Sequence, residues 1–154
     1  MRAVYVLFLV ALLLAGTGRL AYAPYHNQPT QSTQASPLDR ARQQLTTAKT
    51  HAGFAAGAGS LGGVQQHTGH AVNCLVGRGD RRFDEKWGDV CAGQGNGALV
   101  DLKAAGSGGA AALKIAEEAT KVGVETLGAS SLAAAQAGAK KLAGLLDDAL
   151  KALK

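Results

Sequence analysis

The sequence predicts an all-α fold: an antiparallel four-helix bundle with a long disulfide-tethered loop between its second and third helices. Three observations carry that expectation. Apolar residues and alanines recur at three- and four-residue spacing in four stretches, and no stretch alternates as a half-buried strand would. Serines stand where three of the four helices would open, and glycine-containing joints separate them. Between the second and third stretches, residues 78–97 carry no period, yet they contain one of the chain's two cysteines.

The chain starts with a targeting pattern. Met1-Arg2 is basic, Ala3 to Ala15 is an apolar run too short to cross a bilayer comfortably, and Ala21-Tyr22-Ala23 is a small-x-small cleavage signal. Residues 1–23 therefore read as a secretory signal peptide. Cleavage after Ala23 leaves Pro24 first, which signal peptidases tolerate poorly, so cleavage after Gly18 is the alternative and an uncleaved anchor the third. Residues 24–36 are Gln, Thr, Ser, Asn and Pro with almost nothing to bury, a disordered polar spacer that includes His26. The bundle domain is then 37–154.

Ser36-Pro37 opens the first helix, since serine can cap and proline suits the first helical position. Leu38, Ala41, Leu45, Ala48, Ala52, Ala55 and Gly59 form its seam, and Gly53, Gly57 and Gly59 favour a kink or stop near Gly57. Ser60 caps the second helix, whose stripe is Leu61, Val64, Thr68, Ala71, Val72, Leu75 and Val76, closed by Gly77. The joint is short, so these two helices form an antiparallel hairpin. Within the connection that follows, Ala98 to Ala105 reads as a short helical piece and Gly106 to Gly109 as a break. The third helix is Ala110 to Leu127, with Leu113, Ile115, Ala116, Ala119, Val122 and Leu127 on its apolar side. Ser130-Ser131 starts the fourth, with Leu132, Ala135, Ala139, Leu142, Leu146, Ala149 and Leu153 as its seam.

Charge narrows the function classes. The formal net charge is +5; if Arg2 and Arg19 leave with the signal, 16 minus 2 basic residues against 11 acidic ones leaves +3. The positive residues are scattered, not gathered on one face, which argues against a nucleic-acid partner. The apolar face of the last helix is mostly alanine, a weak membrane anchor, so no stable membrane insertion is expected once the signal is removed. No serine–histidine–acid or paired-carboxylate pattern stands out, and no enzymatic activity is expected.

Two cysteines in an exported chain form an even count in an oxidising space. Cys74 and Cys91 are 17 positions apart, and a bridge between them would stabilise by about 3 kcal/mol on loop-closure grounds. It would pin residues 78–97, with Phe83 and Trp87, over the bundle as a lid.

The chemistry-bearing residues are histidines. His67, His70 and Cys74 stand at i, i+3 and i+7 beside the second helix's stripe. His51 lies nine positions before Ser60, and His67 and His70 lie seven and ten after it. In an antiparallel hairpin, equal distance from the turn means equal height, so His51, His67 and His70 can converge. Three imidazoles suit Cu, Zn or Ni, or one or two of them can ligate a haem iron. Alternatively they are half-exposed polar residues at the bundle edge. Gly93 to Ala98 imitates a phosphate loop but lacks the preceding strand. Arg78-Gly79-Asp80 spells a chance-prone adhesion tripeptide, and Asp84, Glu85 and Asp89 lack calcium-loop spacing.

From His67 to Cys91 the chain resembles a group of small exported bacterial proteins. They share a helical histidine pair running into Asn-Cys-Leu-x-Gly, here Asn73 to Gly77, and a glycine-rich loop with a second cysteine, here Cys91 to Gly97. That resemblance implies export and adds little on activity. In helical layout the chain is also similar to periplasmic small metal-binding proteins, which are histidine-rich four-helix bundles. With four histidines in this sequence, the similarity implies one specific site, not high-capacity buffering. The expectation is thus a periplasmic or secreted helical bundle that binds one metal ion or haem. The contrasting expectation is an envelope structural or interaction protein, without ligand, that uses the Phe83 and Trp87 loop as its contact surface.

Overall fold

A computed structural model describes residues 34–154. The expected signal peptide and all but the last three residues of the expected spacer lie outside the described residues. Five α-helices follow: α1 Pro37–Gly57, α2 Leu61–Val76, α3 Ala98–Ala104, α4 Ala110–Leu127 and α5 Leu132–Lys151. The described residues are all-α, with two short 3₁₀ turns at Glu85–Trp87 and Gly106–Gly108 and no strand.

The helix boundaries have local causes. The Ser36 hydroxyl accepts from the Asp39 amide at 3.1 Å, and Pro37 occupies the first turn. Helix α1 stops at Gly57, where its glycines make it weakest. Ser60 and Ser131 cap α2 and α5, accepting from the amides of Gly63 and Ala134. Gly77 ends α2 at φ +72°, a left-handed conformation that glycine adopts without strain.

The expected count of four helices is corrected to five. Seven residues are too few to hold a helix alone, so α3 needs a tertiary anchor. That anchor is Asp101, whose side chain is buried. Arg40 donates to its Oδ1 at 2.9 and 3.1 Å, and Gln44 donates to Oδ2 at 2.7 Å. The Asn96 amide adds a further bond to Oδ2 at 3.0 Å. Gln44 also accepts from the Gly97 amide at 2.7 Å, so one buried pair ties α1, the glycine loop and α3 together. The connection between α2 and α4 is therefore half loop and half helix.

The long helices pair in opposite directions. Lys49 meets Asp147 while the Ala58 carbonyl accepts from Gln136, which sets α1 against α5. The Leu127 carbonyl accepts from Gln65 while Gly123 lies against Val72, which sets α2 against α4. Thr126 lies at Gly138 and Glu118 faces Lys141, which sets α4 against α5.

Leu45, Leu75, Leu102, Leu142 and Leu146 are fully buried in a bed of alanines. On α4 the expected side faces the core, with its small residues deepest. Ala112, Ala116, Ala119, Thr120, Val122, Gly123 and Thr126 are inside, while Leu113, Ile115 and Leu127 sit half-buried at the edge. The reason is close approach: a Cβ on Gly123 would stand 2.7 Å from Val72 Cγ2. Helices that near each other admit only small side chains. Among the described residues, no helix is long and apolar enough to cross a membrane.

Candidate metal centre

Helix α1 presents His51 beside its buried seam, next to Ala52, and α2 presents His67 and His70 beside Thr68 and Ala71. The short Ala58–Ser60 joint folds one helix back on the other, and the three rings meet at one height. His51 Nδ1 lies 3.4 Å from His67 Nδ1 and 3.2 Å from His70 Nδ1. All three Nδ1 or Nε2 ligand atoms lie within 4.8 Å of one another. Metal–nitrogen bonds of about 2.0–2.1 Å at tetrahedral angles place two nitrogens about 3.3–3.4 Å apart. The separations of 3.2 and 3.4 Å lie close to that value.

Electrostatics favour the ligand form. Burial comes first in holding the His51 imidazolium below its usual pKa of 6.5, and the neighbouring His70 and His67 rings add to it. His70 is lowered too, first by burial and then by His67, while a hydrogen bond to the Trp87 backbone pulls the other way. Neutral imidazoles are what a metal ion needs. The exposed Phe54 ring flanks the cluster, 5.7 Å from the His51 ring and 5.5 Å from the His67 ring.

Cys74 and Cys91 form a disulfide, with Cα atoms 5.3 Å apart. Cys74 is thereby removed from any ligand role. The bridge lies beside a second clamp that the sequence analysis did not single out. Asn73, almost fully buried, donates to the carbonyls of Asp84 and Gly88 at 2.9 and 2.7 Å and accepts from the Asp84 amide at 3.0 Å. A signal existed: Asn73 sits among the buried apolar residues at the end of a helix, where a polar side chain must find partners. Phe83 packs against the core with Arg78 over its ring, and Trp87 lies on Gly69 of α2. In the adhesion-like tripeptide, Arg78 pairs with Asp89 and Asp80 with Arg82.

No family model matches this chain, and neither a curated protein nor a solved structure is similar to it.

Proposed function

We propose that this is an exported helical protein that binds a single divalent transition-metal ion through His51, His67 and His70. The observation that carries the reading is the meeting of three imidazoles from two helices at ligand spacing. Three imidazole nitrogens suit Zn²⁺, Cu²⁺ or Ni²⁺ and leave at least one position for water or an outside donor. Haem draws less support. Two histidines ligating iron from opposite faces of a porphyrin stand about 4 Å apart across the metal, with bonds near 2 Å as for other metal–imidazole pairs. Here the rings crowd one another at 3.2 and 3.4 Å.

Export is supported by the leader-like start of the sequence and by the disulfide, which persists in oxidising compartments. An envelope protein that uses Phe83 and Trp87 for contact draws less support, because both side chains are half-buried against the helices.

The test uses the full chain purified from the exported fraction. Metal analysis and titration with Zn²⁺, Cu²⁺ and Ni²⁺ should find one ion per chain, lost in His51→Ala. If no ion is carried, and added metal or haem leaves the melting temperature unchanged, the metal reading fails. Retention of the full-length chain inside the cell removes the export reading.

A further inference from the structure

The histidine pair on α2 flanks a glycine that the residues 78–97 segment uses as a socket. A Cβ on Gly69 would fall 2.2 Å from Trp87 Cγ, 2.4 Å from Cδ2 and 2.5 Å from Cδ1. The indole therefore lies flat on the bare helix backbone at Gly69, one residue before His70 and two after His67. Lys86 Nζ covers the ring at 4.6 Å from its centroid. The Trp87 backbone acts on the neighbouring His70 ring as well, favouring its protonated form.

The segment is held there from both sides. The three Asn73 hydrogen bonds grip Asp84 and Gly88, the residues that bracket the Glu85–Trp87 turn. The Cys74–Cys91 bridge fastens the same helix to the segment a few residues further on. Gly69, Asn73 and Cys74 are thus successive contact points along α2, and His70 lies between the first two.

We propose that Trp87 is a positioning residue of the histidine site, and that the disulfide-held segment fixes the site's metal affinity by orienting His70. This rests on the metal-binding reading above. The chemistry is that of a metal-ligating histidine whose ring is fixed by a hydrogen bond to a neighbouring carbonyl or carboxylate; loss of such a partner weakens metal binding by about 10- to 100-fold. The segment is attached to α2 covalently and through Asn73, so the orientation of His70 depends on residues distant in sequence that are not ligands themselves.

Gly69→Ala tests this without altering a ligand or a cysteine. Its methyl group must displace the indole, while alanine strengthens the helix that carries it. Zn²⁺ affinity is measured by competition with a chromogenic chelator, and site geometry by the visible absorption of the Co²⁺ form. Metal-free melting curves monitor the fold. Cys74→Ala/Cys91→Ala, which frees the segment without leaving thiols to bind metal, is the second variant. The expected result is about 10- to 100-fold weaker Zn²⁺ binding in both variants, with an altered Co²⁺ spectrum in Gly69→Ala while its metal-free fold is retained. Wild-type affinity and spectrum in Gly69→Ala would overturn the proposal and leave the metal site standing. A wild-type protein that binds neither ion would overturn both.

Discussion

His51 Nδ1 stands 3.2 Å from His70 Nδ1, although the two residues belong to different helices. His51 also makes the 3.4 Å approach to His67, so it is the centre of the triad. Its loss should therefore cost more than the loss of His67. At a Zn²⁺ concentration 100 times Kd, binding stabilises the wild-type fold by about 2.7 kcal/mol. Differential scanning calorimetry should show a rise of several degrees in the wild type, a reduced rise in His67→Ala and none in His51→Ala.

The same crowding sets a pH dependence. Burial and the adjacent rings hold His51 and His70 below 6.5 in the folded chain, so in that range the unfolded chain binds more protons. Stability of the metal-free protein should then rise with pH from the depressed folded values up to about 6.5 and level off above it. The rings are partly solvated, which keeps the effect small. Urea unfolding from pH 4.5 to 7.5 measures it. His51→Gln/His70→Gln should show a flatter profile over the upper part of that range.

Asp101 should be among the most costly single positions outside the histidines. Replacing it with Ala leaves the Arg40 guanidinium, the Gln44 amide and the Asn96 amide without their shared partner. Arg40 is partly exposed, so we expect a loss of about 2–4 kcal/mol in urea unfolding. Burial raises the Asp101 pKa, but the bonds from Arg40, the Asn96 amide and Gln44 outweigh it and bring the carboxyl below 3.8. Its contribution is accordingly complete above that value and disappears as pH falls through the lower folded one. Asp101→Asn should keep the packing and lose part of the stability.

Removing the bridge in Cys74→Ala/Cys91→Ala should lower unfolding stability by about 3 kcal/mol. Thiol titration of the denatured, unreduced wild type should find none. An unchanged melt after reduction would show that Asn73 alone is enough to hold the segment.

The legible parts of this fold were those that depend on local chemistry. The serine caps, the stop at Gly57 and the left-handed Gly77 follow from residue type, and the helix ends follow from them. The histidine meeting was legible because a short joint converts sequence distance from the turn into height. Two kinds of feature were less so. The α4 side was legible but not its depth order: the close approach at Gly123 places Ala112, Thr120, Gly123 and Thr126 inside and leaves Leu113, Ile115 and Leu127 at the rim. The Gln44–Asp101 and Gly69–Trp87 contacts join residues of different elements, and no periodicity encodes such a pairing.

One consequence concerns the order of events during synthesis. All three imidazoles lie between positions 51 and 70, on a hairpin whose joint is Ala58–Ser60. The hairpin leaves the ribosome before α4 and α5 do. Its ends close over a very short loop, the least expensive kind of closure. On the metal-binding reading proposed above, an ion bound by this hairpin would be held before the later helices pack. The Trp87 segment and its bridge come next in the chain and would lock a centre already assembled.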